Sequence, residues 1–393
     1  MRFSNTSKYI KQVSLLTMHI MLCVSQAVMA NEKHISQLDE TVETAMQSAT
    51  IPGLAISVAK NGKVLFSKGY GFADIQTHRK VDANTLFHIA SITKTITATA
   101  IMQLVEKNQL SLDEPIDKYI DFPMLNPHCP QQKITIRQLL NHTSSISDER
   151  AYEIDFRVEG RDSNIELADL LKNYLVDGGT YYSAQKVFLS SKPGTQWSYS
   201  NIGYALLGYI VEKVTGESLR KLSTENIFQP LEMNHTYWKL SDVPASQSAT
   251  PYAVINNQLI AVKPVGFADW PAGMIRSSVA DISAFAAASA NKGASVKSRI
   301  LSSTSSIEML KLDTLAGLPN WLTTQGLGWA SSKLGGKSLP NHWGGDPGVF
   351  TAVYLDPEHK SAVTILMNTS VSSEVREALY KITLQAFDIA ESW

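Results

Sequence analysis

The β-forming segments of this chain sit at its two ends. Leu54–Ala59 and Lys63–Ser67 are apolar, β-rich runs joined at Asn61-Gly62. Asn-Gly between such runs signals a tight hairpin, because both turn positions need positive φ. Gly348–Leu355 and Ser361–Met367 form a second pair near the other terminus, parted by a turn at Asp356-Pro357-Glu358. Between them, from about residue 110 to 300, the chain reads as helical patches broken by Pro and Gly loops. A longer helical pattern starts near Ser91 and runs to about Asn108, with Ile92, Ile96, Ala100 and Leu104 roughly one turn apart. Helices are also expected over Ile35–Ser48 and Glu374–Ile389. Together these features predict an α+β fold. One antiparallel sheet comes from both chain ends (about 31–90 and 325–393), flanked by helices, with a mainly helical subdomain (about 91–324) inserted between them. A cleft between two such parts is the default place for a site.

Over 393 residues, 44% are apolar and 18% charged, enough to build a sizeable core. The formal net charge of −1 gives no electrostatic reason to expect nucleic acid or an anionic membrane as partner. Residues 1–30 read differently. Arg2, Lys8 and Lys11 precede an apolar run from about Val13 to Val24, and small residues close the segment at Val28-Met29-Ala30. The run is too short to span a bilayer, so a cleaved secretory leader and a periplasmic or secreted product of residues 31–393 are expected. Losing three basic residues takes the mature charge from −1 to −4. Bulky Leu22 before Cys23 argues against lipidation. Cys23 leaves with the leader and Cys129 remains alone in a Pro-rich loop, so the mature chain forms no internal disulfide and Cys129 reads as a bystander.

Three short motifs carry chemistry. In Ser91-Ile92-Thr93-Lys94 the hydroxyl lies at a helix start, and the amine three residues on shares its face. A serine alcohol needs a neighbour to take its proton, and a lysine does so only when neutral. The apolar residues around it (Ile92, Ile96, Ala98, Ile101) favour that desolvation. In Tyr199-Ser200-Asn201 a phenol can shuttle a proton and a carboxamide can hold lysine and substrate in register. In His342-Trp343-Gly344-Gly345, glycines beside a strand let a substrate carbonyl approach the backbone, where an N–H can join that of Ser91 in an oxyanion hole. Each motif is weak alone: a capped helix, a buried tyrosine and a turn would explain them.

In this order the three motifs resemble those of the serine β-lactamase and penicillin-binding protein superfamily, in its class C-like branch, which includes D-alanyl-D-alanine carboxypeptidases, D-aminopeptidases and carboxylesterases. Leu139-Leu140-Asn141-His142-Thr143-Ser144 and the run from Tyr199 through Gly208 to Val214-Thr215-Gly216 are similar to family stretches, so the likeness covers nearly the whole mature chain. It implies Ser91 as acylated nucleophile, Lys94 as its base, Tyr199 as second acid/base, Asn201 as positioner and Gly345 as oxyanion donor. His342, Trp343 and Gly344 would complete the substrate-binding edge. His142 would be structural, and Ser278 with Asp281 a helix-capping pair.

The third motif departs from the family's Lys-Thr-Gly: it reads His342-Trp343-Gly344 or, one residue on, Trp343-Gly344-Gly345. A mostly neutral histidine weakens recognition of an anionic substrate, and Trp343 is expected to narrow the cleft. Gly335-Gly336-Lys337-Ser338 mimics a phosphate loop, but residue 331 is Ser where the first glycine is needed, leaving a turn. No clustered metal ligands and no lipase-type elbow occur in the sequence. The expectation is an exported, cofactor-free serine hydrolase with a small-molecule or peptide substrate: short esters, D-amino-acid peptides or, weakly, β-lactams. The rivals are a class C β-lactamase or D-alanyl-D-alanine carboxypeptidase, and a β-lactam-binding sensor that is acylated without turnover. Oligomeric state is left open.

Overall fold

The computed structural model describes residues 32–256 and 258–393; the leader and Cys23 lie outside them. The expected α+β architecture is present. An antiparallel sheet runs in the order β4-β5-β6-β7-β8-β1-β2-β3, where β1 is Gly53–Lys60, β2 Lys63–Asp74, β3 Arg79–Lys80, β4 Thr324–Gln325, β5 Ala330–Leu334, β6 Lys337–Asp346, β7 Val349–Asp356 and β8 Ser361–Met367. The two chain ends meet where β1 pairs with β8, with Ile56 opposite Ile365. Asn61 (φ 52°) and Gly62 (φ 75°) form the expected hairpin turn. Strands β5 and β6 were not foreseen; Gly335 and Gly336, both at positive φ, are the turn between them.

Period-2 alternation sorts the sheet's side chains into two cores. Leu54, Ile56 and Val58 of β1, with Phe350, Ala352 and Tyr354 of β7, pack under helix α1 (residues 32–48) and the C-terminal helix Ser373–Ser392. Their neighbours Ala55, Ala59, Val353 and Leu355 face the helical body. At the centre of that body lies α2 (Thr93–Glu106), buried on almost every side and preceded by a tight 3-10 turn over Ala90–Ile92. It packs against α3 (Asn201–Thr215), whose N-terminus is capped by the Ser200 hydroxyl accepting from Gly203 N. Strand β6 lies against the Ala90–Ile92 turn. Gly344 is obligatory there, since a Cβ would come within 2.2 Å of the Ile89 carbonyl oxygen. The Thr351 hydroxyl donates to that same oxygen at 2.9 Å. Sheet edge and helical body are thereby fixed to each other at the residue before Ala90.

Candidate active site

Ser91 sits on the turn so anchored. Its predecessor Ala90 holds φ 47°, a left-handed conformation costly for a residue with a Cβ. Around the hydroxyl the structure gathers the residues of the first two motifs. Tyr199 donates to Ser91 Oγ at 2.7 Å, and Lys94 Nζ lies 3.3 Å from the same oxygen. Lys94 also donates to Asn201 Oδ1 and to the Ala272 carbonyl, each at 2.7 Å. Asn201 is oriented in turn by Tyr152, whose hydroxyl accepts from Asn201 Nδ2 at 3.3 Å. A cavity of about 270 Å³ opens above, with Ser91, Tyr199, Asn201, Gly273 and Gly345 in its walls.

Burial governs the electrostatics. Lys94 is wholly buried, and desolvation pulls its pKa down to about 7; the charges of Asp269 and Asp148 act the other way but weaker. Burial pushes Tyr199 well above the ordinary phenol range, so it is a neutral proton donor at physiological pH. Asp148, not singled out in the sequence, is the anchor beneath this group. Its carboxylate accepts from the backbone N–H of Asn201 (2.5 Å) and Ile202 (3.1 Å) and from the Ser200 hydroxyl (2.9 Å), at the N-terminus of α3. It thereby fixes the helix end that presents Asn201. His142 is buried among Trp197, Tyr199 and Tyr204, and its Nδ1 accepts from Ser200 N at 3.2 Å. Ser278 caps the helix Val279–Ala290 by accepting from Asp281 N, and the Asp281 carboxylate also accepts from His235 N and the Thr236 hydroxyl. Cys129 is buried and free.

The third motif is split by the pleat of β6. His342 is buried, and desolvation, helped by the Lys94 charge, takes its pKa down to about 3, so it is neutral near pH 7. Its Nδ1 pairs with the Trp343 carbonyl at 2.8 Å. Trp343 does not narrow the cleft. It lies on the opposite face of the sheet, stacked on Trp321 at 5.2 Å, with its Nε1 donating to the Tyr354 hydroxyl at 2.9 Å. The reason is the strand period of two: a residue next to one that faces the helical body must face away. Gly345 borders the cavity, and a Cβ there would meet nothing within 4 Å. Two further residues of the cavity, Asp269 and Asp346, carry no motif and were not foreseen.

Comparison with known proteins agrees with this architecture. The Beta-lactamase family model matches residues 38–387. The chain belongs to the Beta-lactamase family. Among curated relatives it is 28% identical over 333 residues to protein flp of Staphylococcus aureus (strain COL), covering 84% of this chain but 62% of that protein. The chain therefore spans less than two thirds of the length of that relative. It is 27% identical over 364 residues to penicillin-binding protein 4* of Bacillus subtilis (strain 168), covering 89% of this chain and 74% of the relative. Among solved structures, the octameric penicillin-binding protein homologue from Pyrococcus abyssi superposes with a TM-score of 0.74 at 27% identity, covering 89% of this chain and 77% of that one.

Proposed function

We propose that this member of the Beta-lactamase family is an exported serine hydrolase that opens an ester or amide through an acyl-enzyme on Ser91. The observation that carries the reading is the pattern of bonds around Lys94. A neutral amine has two N–H bonds and one lone pair. Asn201 Oδ1 and the Ala272 carbonyl, both at 2.7 Å, absorb the two N–H bonds, and the lone pair is left for Ser91 Oγ at 3.3 Å. With its pKa brought to about 7, the amine is available as a base near neutrality. Lys94 takes the Ser91 proton as Oγ bonds to the substrate carbonyl carbon. The bond to the leaving group then breaks, and that group receives a proton from the Tyr199 phenol, which recovers one from Lys94. Water repeats the sequence in reverse and frees Ser91. The N–H groups of Ser91 and Gly345 would hold the oxyanion.

Substrate preference follows from what the third motif lacks. A neutral, buried His342 offers no cation to a substrate carboxylate. Short esters and small amides therefore rank above β-lactams and carboxylate-terminated peptides. No step calls for a cofactor. The leader-like residues 1–30 support export to the periplasm or beyond the cell.

The test pairs a substrate panel with intact-mass measurement. The mature protein and Ser91→Ala each meet p-nitrophenyl acetate and butyrate, nitrocefin and D-Ala-D-Ala peptides. Turnover of esters or amides, abolished in Ser91→Ala, is the expected result. Retention in the variant would refute the nucleophile. Nitrocefin as the best substrate would overturn the ranking, and a lasting single adduct without product would make the protein an acylated sensor.

A further inference from the structure

The cavity above Ser91 has an unbalanced wall. Four carboxylates border it: Asp148, Asp155, Asp269 and Asp346. Asp148 is spent on the N-terminus of α3. Among the described residues lining the cavity, Arg157 is the one permanent cation, and its fork is already engaged. It grips Asp155 through Nε (2.7 Å) and Nη2 (2.9 Å) and reaches Asp346 through Nη1 at 3.3 Å. His88, also in the wall, is held neutral by burial and gives its Nε2 to the Gly273 carbonyl at 2.7 Å. The Asp269 carboxylate has no hydrogen-bond donor beyond its own backbone N–H, and its cationic neighbour is Lys94, which must be neutral to act as the base. Burial, then the charge of Asp148, pushes its carboxyl up to about 6 against the opposing pull of Lys94, so near pH 7 it is an anion that loses its counter-charge whenever Lys94 is the neutral base.

The remaining walls suit a cation too. Tyr152, Phe156 and Phe267 present aromatic surface to the same space, and ring faces attract ammonium groups. A volume of about 270 Å³ admits a group the size of one amino-acid residue. We infer that the acyl half of the substrate carries a primary ammonium close to the scissile carbonyl, as in an aminoacyl amide, an aminoacyl ester or the first residue of a peptide, with Asp269 as the group that receives it. The inference rests on the acyl-enzyme reading and adds the charge and size of the acyl group. An anionic acyl group would meet Asp269 and Asp346 with no free cation to offset them.

The experiment separates the two readings. Hydrolysis of p-nitrophenyl acetate by the mature protein is measured against benzylammonium, benzyl alcohol and benzoate. The ammonium should compete at least about tenfold more tightly than the alcohol, with benzoate weakest. Calorimetry on Ser91→Ala, which needs no turnover, should give the same order. Failure of the Ser91 chemistry would therefore leave the cation preference independently readable. In Asp269→Asn the ammonium-to-alcohol ratio should fall by about tenfold, a selective loss that general damage to the fold would not produce. Alanine p-nitroanilide should likewise outrun its N-acetyl form. Equal binding of amine and alcohol to the unaltered protein, or an undiminished ratio in Asp269→Asn, overturns the inference.

Discussion

The sharpest consequence of the Lys94 environment is a pH dependence of acylation set by an amine and not by an imidazole. Lys94 must be neutral to accept the Ser91 proton, so activity is lost as pH falls through its folded-state pKa. With that value at about 7, half of the molecules hold the free base at pH 7. An unshifted lysine would supply only about one molecule in three thousand. The value of kcat/KM for p-nitrophenyl acetate, a substrate that does not titrate, should rise about tenfold per pH unit up to about pH 7 and then level. The three buried histidines around the site do not compete for that limb: burial holds His88 and His142 low and takes His342 to about 3. Asp269 and Asp346, both near 6, are the other groups in range. Temperature tells them apart. Amine ionisation carries a large enthalpy and carboxyl ionisation almost none, so a lysine limb moves to lower pH on warming. Tyr199, held well above the phenol range, should add no descending limb up to pH 9. A flat profile between pH 5 and 9, a limb near pH 10, or a limb that ignores temperature would refute the reasoning.

Tyr199→Phe removes the 2.7 Å bond to Ser91 Oγ and the proton relay. Steady-state kinetics should show kcat/KM lower by about 10²–10⁴ with the circular dichroism spectrum unchanged. Asp148→Asn replaces an acceptor of three hydrogen bonds by an amide with one oxygen. Urea unfolding should register a loss of about 1–3 kcal/mol, and the pH limb should move down, because the Asp148 charge holds the Lys94 pKa up. Gly344→Ala would place a Cβ 2.2 Å from Ile89 O and 2.4 Å from Thr351 Oγ1. β6 must then part from the Ser91 turn, at a cost of about 1–3 kcal/mol in unfolding experiments and with reduced ester turnover.

Much of the fold was legible because its signals are local. The Asn61-Gly62 turn, the apolar, β-rich runs of β1, β7 and β8, and the helical spacing after Ser91 each report on a few neighbouring residues. Strand β6 escaped because Pro340 and two glycines dilute its β character, and its pairing with β5 and β7 is a long-range fact. The same gap produced the error at Trp343, since alternation says that neighbours face opposite ways but not which way either faces. Ser91, Lys94, Tyr199 and Asn201 stood out because each belongs to a spaced pair on one loop or helix turn. Asp148 and Asp269 come from loops with no pattern of their own. Their importance arises only when α3 delivers its N-terminus to one and the wall around Ala272 brings the other beside Lys94. The Asp148-Glu149 pair ahead of the short helix Glu149–Ile154 offered no sign of a bond more than fifty residues distant.

The charge at position 342 and the acidic wall belong to one electrostatic arrangement. Lys94 lies between two opposing influences: burial drives it neutral, while Asp148 and Asp269 favour its protonation. A permanent cation at residue 342, within the field of Lys94, would depress the amine further and offer a grip for an incoming carboxylate. The neutral His342 does neither. The Lys94 pKa therefore settles near 7 through burial and the two carboxylates alone, and the anionic surplus around the cavity goes uncancelled. A bound ammonium beside Asp269 would screen the carboxylate that holds the Lys94 pKa up, shifting the amine toward its basic form when such a substrate is seated. Binding of that substrate and activation of the nucleophile would then be linked through one aspartate, which a neutral ester engages for neither purpose.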